Sequence, residues 1–272
     1  MVLERTQNLE DILLIYHGLF QMPGLKVIDT SFLSNQEALD MIGISVEYFD
    51  IAGSKKCANL LSKYYQGLIS ILNDDITFPE KVIEEVEYGR DRLRDCVDKT
   101  GEGTKKGRRR SVPYKFGRAA SRGLEAAVKN QIENLNLVIR SREEFIREMC
   151  KNVSESRFTE EMKEHRERIY TALNSFWKSE KQVKIEEHRD NDKHIFTTAF
   201  CLSFGYPVLL FTADYDLVRM QRDFYILFGT LAEKFGIRTP KFDVEVLFRN
   251  IDMGEYFIHT KSGEEYLLEF GE

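Results

Sequence analysis

The sequence predicts an α/β fold on a largely parallel sheet, with a long helical insertion and a C-terminal hairpin. Three observations point there. Short apolar runs at Leu25–Ile28 and Val208–Phe211 read as buried strands, Asp75–Phe78 is a candidate further strand, and they alternate with stretches of helical periodicity. From Arg94 to about Lys184 strand signals give way to two long amphipathic stretches. At the end, Tyr256–Thr260 and Glu265–Phe270 flank Lys261-Ser262-Gly263, as in a hairpin.

In order, Leu9, Ile12, Leu13, Tyr16 and Leu19 share one face and predict a leading helix from Leu9 to Phe20. Met22-Pro23-Gly24 breaks it, and the strand Leu25-Lys26-Val27-Ile28 runs into Asp29. Thr30 and Ser31 read as capping residues before a helix over Asn35–Met41, and a further helix is expected over Lys55–Leu72. After the second strand, Pro79 stands where a first helical turn tolerates proline. Gly101-Glu102-Gly103-Thr104 reads as the start of a flexible basic stretch reaching Lys129, followed by helices over about Leu124–Asn152 and Phe158–Lys181. A short apolar helix from His194 to Phe204 leads into the Val208 strand, which ends at Thr212. A helix over Leu217–Phe235 and a strand near Phe242–Phe248 continue the alternation. Residues 1–93 and 187–252 are then two parts of one α/β domain, with 94–186 inserted and 253–272 forming the hairpin.

Composition narrows the function. With 42% apolar and 31% charged residues the chain has an ordinary globular make-up, and a formal charge of −6 excludes a uniformly basic nucleic-acid binder. No stretch approaches the roughly 18 apolar residues of a membrane span. Met1–Glu10 lacks the pattern of a secretory signal, and Cys57, Cys96, Cys150 and Cys201 show no CxxC spacing. A reduced, cytoplasmic protein that does not engage membranes is expected.

Chemistry is expected from carboxylates. Two strands end in aspartate, VID at Asp29 and VLLFTAD at Asp214, and parallel strands bring such ends to one edge of a sheet. Glu85 borders the buried stripe set by Val82 and Val86. Asp192 precedes Ile195, Thr198 and Ala199, with Asp190 and Asn191 beside it. Each acid also has a plainer reading: Asp29, Asp192 and Asp214 as helix caps, and Glu85 as a solvated helix residue.

Taken in order, VIDTS (Val27–Ser31), PxxVxxEV (Pro79–Val86), NDKHIFTTA (Asn191–Ala199) and FTADYDL (Phe211–Leu217) resemble the PIN-domain nucleases. The resemblance covers about two-thirds of the chain in two blocks and implies a Rossmann-like, three-layer parallel sheet. It implies a metal-binding, catalytic quartet of Asp29, Glu85, Asp192 and Asp214, with Asp216 as an accessory ligand. Ser31, Thr212 and Asp190 would support the quartet. The chain departs from the family in the roughly one hundred residues between its second and third acids, so Asp190 and Asp192 both stand for the third position. Hard oxygen ligands without cysteine suit Mg²⁺ or Mn²⁺. The activity implied is a metal-dependent endoribonuclease hydrolysing phosphodiester bonds of RNA.

The remaining signal is basic. Between Thr104 and Asn130, nine cations include Lys105, Lys106, Arg108, Arg109, Arg110, Lys115, Arg118 and Arg122; Glu125 is the one anion. The local excess is +8, which leaves −14 for the rest of the chain. Tyr114 and Phe116 interleave with the charges, as where bases stack beside phosphate contacts, so this stretch is expected to bind single-stranded RNA. The insertion could equally carry a protein partner or a second copy of the chain. Two other functions stay open. One is a PIN-like module that binds RNA or protein without catalysis. The other is an aspartate-nucleophile phosphatase, against which Ser31 stands where a second acid is wanted.

Overall fold

A computed structural model describes residues 9–33, 48–107, 118–178, 190–250 and 254–268. Its strands are β1 (Leu25–Ile28), β2 (Ile76–Thr77), β3 (Val208–Thr212), β4 (Val244–Asn250), β5 (Glu255–His259) and β6 (Glu265–Leu267). Its helices are α1 (Leu9–Phe20), α2 (Thr30–Leu33), α3 (Tyr48–Gly53), α4 (Lys55–Ile71), α5 (Glu80–Gly107), α6 (Arg118–Lys151), α7 (Glu160–Phe176), α8 (Asn191–Leu202) and α9 (Tyr215–Phe235), with a 3₁₀ turn at Ser154–Arg157.

The fold is α/β with one mixed six-stranded sheet in the order β2-β1-β3-β4-β5-β6. The expected parallel arrangement holds for the first four strands and stops at β4, since β5 and β6 pair antiparallel. The connections account for the change. A parallel crossover needs a dozen or more residues. Only residues 251–254 join β4 to β5, and the β5–β6 turn closes at Gly263, whose φ of +81° suits glycine. This is the expected C-terminal hairpin, extended inward by one strand.

Burial explains the strand compositions. All residues of β1 and β3 are buried, as in a central strand covered on both faces, and both read as apolar runs apart from Lys26 and the terminal Thr212. Lys26 is almost fully enclosed and directs its ammonium toward Asp75, 3.9 Å away. Phe20, Phe32 and Phe211 pack with ring centroids 5.1 to 6.5 Å apart. Phe200 and Phe196 set their rings edge-on to Phe224 at 4.9 and 5.4 Å, joining α8 to α9.

By compactness the chain divides into two units. A sheet unit comprises residues 17–35, 72–85 and 149–272, and a helical unit comprises 1–16, 36–71 and 86–148. The helical unit thus takes in α3 and α4 as well as much of the expected 94–186 insertion. Inside it, Tyr65 meets Phe145 at 5.7 Å, Arg142 lies over the Tyr65 ring at 5.4 Å, and the Ser62 and Ser141 hydroxyls are 2.6 Å apart.

Two expectations are corrected. Helix α5 continues through Gly101-Glu102-Gly103 to Gly107, where a flexible stretch was expected, and α6 begins at Arg118 rather than near Leu124. Glycine costs about 1 kcal/mol in a helix interior, which a long helix can absorb. The block after Arg94 was also expected to lack strand character. Val153 instead forms a parallel bridge with Phe78: Phe78 N–H donates to the Asn152 carbonyl and Ser154 N–H to the Phe78 carbonyl, both at 2.9 Å. The predicted Asn35–Met41 helix lies outside the described residues. Among the described residues, no helix is long and apolar enough to cross a membrane.

Candidate functional site

The site starts from the register of β1 on β3. These strands are parallel neighbours with Ile28 opposite Phe211, so Asp29 and Thr212–Asp214 leave the sheet at the same edge. Asp29 N–H donates to the Phe211 carbonyl at 2.9 Å, extending the ladder by one rung. Its side chain is buried, 5% exposed.

Two hydroxyls fasten that carboxylate. Thr212 Oγ1 donates to Asp29 Oδ2 at 2.7 Å, and Ser31 donates to the same oxygen. Each hydroxyl also accepts a backbone N–H, Ser31 from Ala213 and Thr212 from Asp214, both at 2.9 Å. Polarity therefore passes from two N–H groups through two hydroxyls onto one oxygen, and each link strengthens the next. Burial nevertheless pushes the Asp29 carboxyl up to about 6. The two hydroxyl bonds oppose that rise, while the charges of Glu85 and Asp214 add to it.

Glu85 lies half-buried in α5, held from both sides. Thr30 donates to its Oε2, and the Asn191 side-chain amide donates to its Oε1. Asp192 is half-buried in the first turn of α8, but the contact to Glu85 comes from its neighbour Asn191.

The expected accessory acids face cations. Asp190 holds the N-cap position of α8 without capping it and pairs with Lys193, whose Nζ also donates to Asn174 Oδ1 at 2.7 Å. Asp216 lies 3.5 Å from Arg219. Asp214 is the N-cap of α9, accepting from Asp216 N–H at 3.1 Å, so its plainer reading is realised alongside its nearness to Asp29. Among the described residues, no group of three or more carboxylate, histidine or cysteine side chains stands at metal-ligating spacing. The expected quartet therefore does not form a closed cage.

Of the basic residues, Lys105 and Lys106 fall in α5 and Arg118 and Arg122 in α6; Arg108, Arg109, Arg110 and Lys115 lie outside the described residues. His194 is half-buried and stacks on Tyr170 with ring centroids 4.3 Å apart. Burial, together with the charges of Lys81 and Arg166, lowers its affinity for a proton. Thr30 and Asn191 escaped sequence reasoning, because short polar residues beside strand ends and helix starts look like caps. No family model, curated protein or solved structure matches the chain.

Proposed function

We propose that the chain is a Mg²⁺- or Mn²⁺-dependent ribonuclease on a three-layer, PIN-like arrangement of its sheet, cleaving phosphodiester bonds at the edge that carries Asp29. One observation carries the reading. A buried carboxylate is fastened by two hydroxyls at the carboxyl ends of adjacent parallel strands, under the like charges of Glu85 and Asp214. Such a cluster is relieved by a cation.

The donors suit the ion. They are hard oxygens, and the one fully buried thiol, Cys201, is pushed up to about 12 by burial and so stays protonated. Mg²⁺ keeps several of its waters and takes one or two protein carboxylates, so an open set fits it better than a closed cage would. Asp29 and Asp214 would hold the ion, with Glu85 fixed by Thr30 and Asn191 beside it. Bound there, the ion would activate water and offset charge on the leaving oxygen. The basic Lys105–Lys129 stretch would hold the RNA strand.

The test is Mn²⁺-dependent cleavage of a single-stranded RNA oligonucleotide. Asp29→Asn and Asp214→Asn are expected to lose cleavage by at least ~100-fold, the scale of a lost metal contribution. The Asp214 exchange is a clean probe, since asparagine caps a helix as well as aspartate does. Full activity in either variant would sink the proposal.

A second reading, an RNA- or protein-binding module without catalysis, is favoured by the cation partners of Asp190 and Asp216. Calorimetry with Mn²⁺ separates the two, because the module would take up no ion. A phosphatase is disfavoured by Ser31, whose hydroxyl is committed to Asp29, and would announce itself by hydrolysing p-nitrophenyl phosphate.

A further inference from the structure

Away from the strand ends, one acid joins four separate segments. Glu155 sits in the 3₁₀ turn after α6 with its side chain 9% exposed. Its Oε2 accepts the backbone N–H of Glu80 at 3.1 Å, the first residue of α5. Its Oε1 accepts from Thr198 of α8 at 3.1 Å and from Arg166 of α7 at 3.4 Å. The turn itself is tied to the end of β2, for Thr77 Oγ1 donates to the Asn152 carbonyl at 2.8 Å and meets Ser154 Oγ at 3.1 Å.

A carboxylate at a helix N-terminus satisfies an orphan donor and meets the positive end of the helix dipole. Local caps lie within a few residues of the donor. This one comes from 75 residues away and binds α8 with its other oxygen. Both helices also meet at the site, where Asn191 of α8 donates to Glu85 of α5. Glu85 is little more than one turn beyond Glu80, so the tilt of that first turn sets where its carboxylate lies.

We propose that Glu155 is a positioning residue, locking the start of α5 to α8 so that Glu85 meets Asn191 beside Asp29. The inference rests on the proposed metal site for its purpose, but not for its first readout. That readout is the Asn191 side-chain amide by NMR. In the wild-type protein, the proton donated to Glu85 should be shifted downfield and slow to exchange. Glu155→Ala should collapse both signatures toward those of a solvated asparagine, and Glu155→Gln, which keeps an acceptor oxygen, should restore them in part. Glu161→Gln, at a residue whose carboxylate pairs with Arg238 at 3.3 Å, should leave them unchanged. In parallel, Glu155→Ala should weaken Mn²⁺ binding by calorimetry on the order of tenfold, the scale of outer-shell partners of metal ligands.

Unaltered Asn191 signals in folded Glu155→Ala would overturn the proposal. Should that variant not fold, Thr198→Val removes one bond to Oε1 and carries the same expectation in smaller size; unshifted signals there would overturn it equally. A wild-type protein that binds no Mn²⁺ overturns the metal reading alone, and the amide signals still decide the role of Glu155.

Discussion

Asp29 concentrates the energetics of the site. Its carboxyl binds a proton more tightly in the folded chain than in the unfolded one, about 6 against an ordinary 3.8. The stability it contributes is therefore full below about pH 4 and lost as pH rises through about 6. A difference of that size in proton affinity corresponds to about 3 kcal/mol. In metal-free buffer, the wild type should lose stability relative to Asp29→Asn across that window and melt several degrees lower at pH 8. Added Mn²⁺ should raise the melting temperature of the wild type and leave the variant where it is. Parallel melting curves for the two proteins from pH 4 to pH 8 would mean that Asp29 bears no such burden. At this scale the sequence was informative about Asp29, Ser31, Thr212 and Asp214, because strand ends and parallel pairing determine who meets whom. It was uninformative about Asn191, whose contact with Glu85 depends on how α5 and α8 pack.

At the scale of elements, local sequence carried much of the outcome. Helix α1 and strand β1 run over the residues that periodicity and the Pro23-Gly24 break indicate, and the hairpin turn falls at Gly263. The turn into β1 gives a prediction with two signs. Gly24 has a φ of +96°, and a side chain there would meet the Pro207 carbonyl oxygen at 3.0 Å, the oxygen that accepts the Leu25 N–H. Gly24→Ala should cost about 1–3 kcal/mol and loosen the entry of β1 beside β3. Gly229, exposed within α9 with open space around it, should respond oppositely, gaining about 0.5–1 kcal/mol as alanine. Chemical denaturation of the two variants measures both, and equal effects would refute the local argument. What no element revealed was its long-range fastening. Glu155 is one acid in a polar stretch, and nothing in its neighbours foretells a helix start 75 residues earlier in the chain.

For the whole molecule, charge is divided by sequence, with a local excess of +8 between Thr104 and Asn130 against −14 elsewhere. A net-negative protein with an acidic site needs such a stretch to attract a polyanion. Replacing Arg108, Arg109 and Arg110 with glutamine should lower the salt dependence of RNA binding by about one unit of log–log slope per lost phosphate contact, with cleavage chemistry intact at saturating RNA. An unchanged slope would remove this stretch from the interface. The strand order has a further consequence, in time rather than in energy. Strand β3 lies between β1 and β4, yet it leaves the ribosome about 180 residues after β1. At roughly 5–20 residues per second, the strand that presents Asp29 waits some 10–40 s with one edge unpaired. The helical unit begins before β1 and is complete by residue 148, so the acidic edge comes together only after every residue of that unit has been made.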